Sequence, residues 1–146
     1  SIEDCSIIIP NRAVRDEGTS YHYAPPSDEI SVNEKYLSEF TKMLDELMVK
    51  YTIGKTWSTD AFYRETRDKV IRRQQQGCIC VDMECSAISA VAKFRQKDCV
   101  QFFYAADNLD TDTWDARSLS NHSLLEEKDR IAAIALELAV RISSLP

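Results

Sequence analysis

The chain has 146 residues, a formal net charge of −6 and only three glycines, where average usage of about 7% would give roughly ten. Gly18, Gly54 and Gly77 are widely separated, so the sequence contains neither a P-loop nor a GxGxxG motif, which need clustered glycines around a phosphate. An excess of 24 acidic over 18 basic residues argues against nucleic acid as a partner, because proteins that bind it neutralise phosphates with a basic face.

The pattern of apolar residues predicts strands that alternate with helices. Runs of β-branched and aromatic residues bounded by glycine, proline or asparagine indicate strands, and apolar positions repeating at i, i+3, i+4 and i+7 indicate helices. In chain order the predictions are a strand at 5–9, a helix at 33–50, a strand at 52–59, a helix at 65–76, a strand at 78–81, a helix at 84–95, a strand at 100–106 and a helix at 124–142. Ser31 or Asn33 is available as N-cap of the first helix, and Gly77 ends the second.

This alternation predicts an α/β fold with a largely parallel or mixed sheet. No linker or repeat divides the chain, and 44% hydrophobic residues can fill a core, so we expect residues 1–146 to form a single domain. The longest apolar runs, 7–9 and 131–136, are far shorter than the roughly 20 residues that span a bilayer, and no basic-then-apolar leader opens the chain. We therefore expect a cytoplasmic protein with no membrane partner.

The cysteines give no sign of a metal site. All five lie in apolar stretches and their number is odd, which favours reduced thiols over a disulfide framework. Cys78-x-Cys80 lacks the two-residue spacer and the second ligand pair that are typical of zinc sites, so we predict no metal.

Acidic residues follow two of the predicted strands, and ligands of α/β sheets usually bind beyond strand ends. Asp82, Met83 and Glu84 come directly after the strand at 78–81. A carboxylate there can accept two hydrogen bonds from a vicinal diol, and the thioether of Met83 offers an apolar surface to a sugar face. The alternative is that these acids stand at a helix N-terminus because the helix dipole favours them.

Asp107 and Phe62 are further candidates. Asp107 follows a run of mostly apolar residues, so its carboxyl group is partly desolvated, which favours the protonated form and a role as proton donor. The alternative for Asp107 is an Asx turn that closes the strand. Phe62 comes shortly after the strand at 52–59, where an exposed ring can stack on a flat heterocycle, and the alternative is ordinary core packing.

Taken together, these segments resemble a known family. The order WSTDAFYRET, VDMECSAISAVAKF and FYAADN, preceded by AVRDEGTSYHYAPP, resembles the C-terminal part of nucleoside phosphorylases of the purine and uridine phosphorylase type. The resemblance runs from about Ile7 to the last helix. It implies a three-layer α/β/α fold around a central mixed sheet that is incomplete at the N-terminal side, with a little over half of the usual domain present.

The resemblance implies reversible phosphorolysis, in which inorganic phosphate as co-substrate attacks the anomeric carbon of a nucleoside and releases the base and a pentose 1-phosphate. No cofactor is implied. Glu84 matches the family's acceptor for ribose hydroxyls, with Met83 against the sugar and Asp82 beside them. Phe62 matches the aromatic residue that packs against the base, and Asp107 matches the acid that hydrogen-bonds to or protonates a purine ring nitrogen.

Departures from the family pattern bear on which base is bound and on how that base is protonated. Ala106-Asp107 replaces a common Ser-Asp pair, and Arg64-Glu65-Thr66-Arg67 stands where uridine phosphorylases have Gln-x-Arg, so Arg67 is the available substitute. These features favour a purine over uridine. Arg117 is the available basic residue downstream of the acid, and the alternative for it is a surface ion pair.

Two phosphate-binding loops that the family carries upstream are absent from this sequence. Three functions therefore remain open: a nucleoside phosphorylase whose phosphate site is on a companion N-terminal chain or has been cleaved off, a nucleosidase that uses water, and a non-catalytic nucleoside-binding or storage relative. The joint presence of Phe62, Glu84 and Asp107 argues against the last. The resemblance also implies a homo-oligomer, a dimer or a hexamer.

Overall fold

The computed structural model describes residues 2–107, 115, 117 and 124–145. In chain order the elements are β1 (Ile7–Asp16), β2 (Glu29–Ser31), α1 (Leu37–Glu46), β3 (Tyr51–Thr59), α2 (Arg67–Gln75), β4 (Cys78–Asp82), α3 (Cys85–Phe94), β5 (Phe103–Tyr104) and α4 (Leu125–Ser143). Two short 3-10 turns, Thr19–His22 and Phe62–Arg64, precede β2 and α2. Each predicted helix and strand has a counterpart among these elements, with shifted ends.

The chain divides into two compact units. Unit 1 comprises Ser1–Ile8, Tyr36–Thr52 and Phe102–Pro146, and unit 2 comprises Ile9–Lys35 and Ile53–Gln101. Among the residues described in either unit, no helix is both long enough and apolar enough to cross a membrane.

Unit 2 contains a mixed sheet with the strand order β2-β1-β3-β4. β1 and β2 are antiparallel, whereas β3 and β4 are parallel. Trp57 packs with Val14 and Cys78 in the core of this unit, and its indole N–H donates to Asp16 at 2.8 Å. The predicted α/β class with a mixed sheet is therefore confirmed.

The ends of β1 and β5 differ from the prediction. The strand predicted at 5–9 continues to Asp16 because its second half pairs with β2, a strand of three residues that the sequence pattern does not indicate. The strand predicted at 100–106 contains only Phe103–Tyr104, which pair with Ile8 and Ile7 at the start of β1. Both strand lengths follow from pairing between distant segments, which local sequence does not contain.

The predicted N-cap of the first helix was wrong. Ser31 lies in β2, and Asn33 uses its side chain elsewhere: its amide donates to the carbonyls of Pro10 at 2.9 Å and Gln101 at 2.6 Å. Tyr36 occupies the N-cap position of α1, and its side chain does not cap the helix. Asn33 also has a φ of 57°, so it forms a turn that the helix does not include.

Unit 1 is built around α1 and α4. Phe40, Met43 and Leu44 on the inner face of α1 are fully buried, and the ring of Phe40 meets that of Phe102 edge-on with centroids 5.1 Å apart. Burying each such side chain contributes about 1.5–3 kcal/mol to folding. Arg141 of α4 donates to Glu46 at the end of α1 at 2.5 Å.

Two glycines have clear structural roles in unit 2. Gly77 ends α2 with a φ of +86°, and its N–H donates to Gln74 at 2.8 Å, which confirms the predicted stop. Gly54 lies on β3 beneath the side chain of Ile79 on β4. A Cβ atom at Gly54 would stand 2.5 Å from Cδ1 of Ile79, so only glycine fits without a shift.

Candidate functional site

The candidate site of unit 2 lies where β3 and β4 end. Ser58 of β3 pairs with Asp82 of β4, and because the two strands are parallel their carboxyl ends meet at one edge of the sheet. Phe62 follows β3, and Met83 and Glu84 follow β4. The side chains of Phe62 and Met83 are 48% and 40% exposed, and Glu84 is exposed too, so an aromatic ring, a thioether and a carboxylate face solvent beyond this edge.

Asp82 binds the protein's own groups with both carboxylate oxygens. Oδ1 accepts hydrogen bonds from the hydroxyls of Thr56 and Ser58, each at 2.8 Å. Oδ2 accepts from the backbone N–H groups of Glu84 at 2.8 Å and Cys85 at 2.5 Å. A carboxylate has about four lone-pair sites, so these bonds engage it fully and tie β3, β4 and the first turn of α3 together.

Glu84 has a fixed backbone and an exposed side chain. It occupies the N-cap position of α3, with its N–H on Asp82 and its carbonyl accepting from the N–H of Ile88 at 2.9 Å. Behind it, the small residues Ser86 and Ala90 of α3 are fully buried, which allows the helix to approach its neighbours closely. The backbone of Glu84 is therefore fixed at the sheet edge, and its carboxylate is exposed to solvent there.

A buried polar network lies beneath this edge, and the sequence pattern does not predict it. Glu17 is only 7% exposed and accepts from the hydroxyl of Ser86 at 2.7 Å and the N–H of Ser20 at 2.9 Å. The N–H of Ser86 donates to the hydroxyl of Ser58 at 3.0 Å, and Ser58 donates to Asp82. Burial raises the pKa of Glu17, but hydrogen bonds from Ser20, Ser86 and Thr19 outweigh it and hold that pKa below the usual value.

Arg15 extends the network beyond Glu17, because it binds Ser20, whose N–H donates to Glu17. It is buried and donates through Nε to the hydroxyl of Ser20 at 2.8 Å and through Nη1 to the carbonyl of Pro25 at 2.6 Å and the hydroxyl of Ser27 at 2.9 Å. Its guanidinium carbon stands 4.1 Å from the ring centroid of Tyr21. The segment after β1 is thus held to the end of that strand.

Asp16 anchors α2 to the sheet. One carboxylate oxygen accepts from Trp57 at 2.8 Å and lies 2.7 Å from Lys69 and 3.2 Å from Arg73. Burial raises the pKa of Asp16, but hydrogen bonds from Lys69, Trp57 and Arg73 outweigh it, so the pKa is lower than usual. This cluster fixes the helix that follows Phe62.

The segment after β3 carries the predicted base-binding residues. The rings of Phe62 and Tyr63 lie 4.0 Å apart between centroids and are both exposed, so Phe62 is not a core residue. Arg67 is the exposed first residue of α2. A cavity of about 450 Å³ adjoins this segment, lined by Arg64, Thr66, Asp68, Lys69 and Arg72.

Asp107 and Arg117 belong to unit 1. Asp107 is half-buried three residues after β5, and Arg117 is half-buried with Nη1 donating to the carbonyl of Ile2 at 2.8 Å. Nε of Arg117 lies 3.8 Å from the carboxylate of Asp115. The roles assigned to both residues stay predictions, as do those of Phe62, Arg67 and residues 82–84.

None of the five cysteines, all of which lie among the described residues, forms a disulfide. Cys78 and Cys85 are buried, and Cys5, Cys80 and Cys99 are partly so. Burial raises the pKa of Cys85 and raises that of Cys80 to about 12, so both are neutral thiols at physiological pH. Within the part of the chain that the structure describes, no three His, Cys, Asp or Glu side chains are grouped so as to hold a metal ion.

A mixed α/β sheet with exposed aromatic, thioether and carboxylate groups beyond two parallel strand ends is typical of proteins that bind small ligands at that edge. Comparison with known proteins gives the family. The family model described as the phosphorylase superfamily matches residues 2–143, so the chain belongs to that superfamily. The resemblance inferred from sequence is confirmed.

The relatives include phosphorylases and nucleosidases. A purine nucleoside phosphorylase from Toxoplasma gondii has a TM-score of 0.79 and 15% identity over 97% of this chain and 58% of its own. An AMP nucleosidase from Bacteroides thetaiotaomicron has a TM-score of 0.66 and 18% identity over 98% of this chain and 56% of its own. These two likenesses show the fold.

A curated relative adds sequence similarity. The 5'-methylthioadenosine/S-adenosylhomocysteine nucleosidase of Buchnera aphidicola is 41% identical over 64 residues, which are 43% of this chain and 28% of the nucleosidase. The chain thus spans under a third of this curated relative and little more than half of the two solved structures.

Proposed function

We propose that this chain forms the nucleoside-binding side of an enzyme that cleaves the N-glycosidic bond of a purine nucleoside by phosphorolysis. The supporting observation is the exposure of Phe62, Met83 and Glu84 beyond the ends of two adjacent parallel strands, with Asp82 fully engaged beneath them. Membership of the phosphorylase superfamily supports the class of reaction. The proposal needs no cofactor.

In the proposed reaction an oxygen of inorganic phosphate forms a bond to C1' of the sugar as the bond from C1' to the base nitrogen breaks. The electron pair of that bond passes to the base. The exposed carboxylate of Glu84 accepts hydrogen bonds from the ribose hydroxyls, and Met83 lies against the apolar face of the sugar. A carboxylate near an oxocarbenium-like transition state also stabilises its positive charge.

The base takes up the negative charge that develops. Phe62 stacks on the base, and Arg67 at the start of α2 contacts its polar edge. Asp107 donates a proton to a purine ring nitrogen, and Arg117 assists that donation. The phosphate is bound by groups outside these 146 residues.

Hydrolysis is the second candidate. The observation that favours it is the 41% identity over 64 residues to a nucleosidase. In that reaction water replaces phosphate as the attacking group, and the roles proposed for Phe62, Glu84 and Asp107 are unchanged.

The test is an assay of the enzyme purified together with the groups that bind phosphate, with inosine, adenosine, 5'-methylthioadenosine and uridine as substrates, each with and without phosphate. We expect the purine nucleosides to be cleaved only with phosphate, giving ribose 1-phosphates. Cleavage without phosphate, giving the free sugar, would favour hydrolysis. Faster cleavage of uridine would contradict the purine preference, and no cleavage of any nucleoside would contradict the proposal.

A further inference from the structure

The network beneath the sheet edge connects two segments that are far apart in the sequence. Glu17, just after β1, and Ser86, in the first turn of α3, are joined by a hydrogen bond of 2.7 Å across 69 positions. Both side chains are buried, at 7% and 0% exposure. Removing a carboxylate from water is costly unless hydrogen bonds compensate it, so this arrangement calls for an explanation.

Each bond in the network fixes the next. Ser58 accepts the N–H of Ser86 at 3.0 Å and donates its own hydroxyl proton to Asp82 at 2.8 Å. Asp82 in turn holds the N–H groups of Glu84 and Cys85. The Ser58 hydroxyl accepts one bond and donates another, so its orientation is defined. We call the connection from Glu17 through Ser86 and Ser58 to Asp82 the relay.

We propose that Glu17 is a positioning residue for the ribose site: through Ser86 and Ser58 it fixes the first turn of α3, and so the place of the Glu84 carboxylate. This inference rests on the proposed function, because it assigns Glu84 to the ribose hydroxyls. Glu17 does not itself touch the substrate. Its second oxygen, on the N–H of Ser20, holds Glu17 in place from the opposite side.

A local role for Glu17 is the competing explanation. Because it accepts the N–H of Ser20, Glu17 also supports the 3-10 turn Thr19–His22, and loss of that bond alone would loosen the turn. Ser86→Ala separates the two roles, because it removes the bond to Glu17 and leaves the bond to Ser20. Alanine is the better helix former, so α3 keeps its intrinsic stability in this variant.

The readout is discrimination between ribose and a sugar that lacks the 2'- and 3'-hydroxyls. We would measure kcat/KM for inosine and for 2',3'-dideoxyinosine in the wild type, Glu17→Gln, Ser86→Ala and the double variant. A displaced Glu84 weakens only the contact with the hydroxyls, so the inosine to dideoxyinosine ratio should fall about 10-fold in each variant, mostly through KM. The double variant should lose no more than the single variants, because both break the same relay.

Glu34→Gln is the matched control. Glu34 is an exposed acid that pairs with Lys93 at the other end of α3, 3.0 Å away, so it tests the loss of a carboxylate without touching the relay. Its ratio should equal that of the wild type. A variant that is only less stable loses active protein for both substrates equally, so the ratio would not move.

The outcomes separate the two proposals. If the wild type cleaves neither substrate, the proposed function fails. If it cleaves inosine but Ser86→Ala keeps the wild-type ratio, Glu17 has only the local role and the inference is wrong, whether or not Glu17→Gln folds. A fall in the ratio for Ser86→Ala supports the relay even if Glu17→Gln cannot be purified.

Discussion

The junction between β4 and α3 and the segment after β5 both place an acid at or shortly after the end of a strand, yet the two strands differ in length and pairing. β4 has five residues and pairs with β3 up to Asp82 itself. β5 has two residues, paired with the start of β1, and Asp107 follows three positions later. An acid after an apolar run therefore has a structural role at Asp82, where it accepts hydrogen bonds from β3 and from the start of α3. At Asp107 the same kind of sequence gives the residue that we propose as the proton donor.

Two acids at the same junction, Asp82 and Glu84, also differ in their surroundings. Asp82 uses its oxygens on Thr56, Ser58 and the start of α3, whereas Glu84, two residues later, presents its carboxylate to solvent. Asp82 is thus engaged in hydrogen bonds within the protein, whereas the carboxylate of Glu84 is accessible to a ligand. Substitutions at Asp82, Asp107 and Glu84 should accordingly have different signatures.

The largest effect is expected at Asp82. Asp82→Ala leaves two hydroxyls and two N–H groups without their acceptor, and one buried group without a partner costs about 1–3 kcal/mol. We therefore expect the free energy of unfolding in urea to fall by about 3–5 kcal/mol. Glu84→Ala, which removes an exposed carboxylate two residues away, is the matched variant, and an equal loss there would remove the contrast between the two acids.

Asp107→Asn should act on catalysis. Loss of a general acid costs about 10²-fold or more in rate, so we expect kcat for inosine to fall by about that factor and kcat for uridine to change little. Steady-state rates with both substrates test this. Equal losses for the two bases would show that Asp107 does not protonate the purine.

Glu84→Gln should act on binding. The side chain is exposed, so we expect the unfolding free energy to change by less than about 0.5 kcal/mol. A hydrogen bond to a charged group is worth about 1.5–3 kcal/mol, so the Kd for inosine, measured by calorimetry, should rise by about 10-fold or more. Unchanged affinity would mean that Glu84 does not contact the ribose.

The smallest effect concerns pH. The pKa of Glu17 is below its usual value in the folded protein, so its contribution to stability is present above the unfolded value of 4.5 and is lost as the pH falls through the folded value. Urea unfolding at pH 7 and below pH 4 should therefore show a larger acid-induced loss in the wild type than in Glu17→Gln. Parallel pH curves would contradict the assignment.

Local signals allowed much of the fold to be predicted. The i, i+3, i+4 pattern located α1, α3 and α4, and Gly77 located the end of α2, because these features depend on residues within one or two turns. β2 escaped prediction because three residues carry too little pattern and its formation depends on pairing with β1.

The candidate site divides in the same way. Residues 82–84 stood out because strand, acid and helix follow one another directly, and Phe62 because it comes just after β3. The relay from Glu17 to Ser86 joins positions 69 residues apart, and serine is common in turns and helix starts, so no local pattern distinguishes it. The side chain of Asn33 was misassigned for the same reason, since its partners Pro10 and Gln101 are remote in sequence.

The close approach of Gly54 to Ile79 has a consequence for strand alignment. Parallel strands have no tight hairpin to set their register, and β3 shows an irregularity just after this point, between Lys55 and Thr56. The Ile79 side chain packs into the space that a Cβ atom at Gly54 would fill. If β4 shifted along β3, Ile79 would clash with a side chain on β3. The glycine at position 54 therefore favours the register in which Ser58 is opposite Asp82.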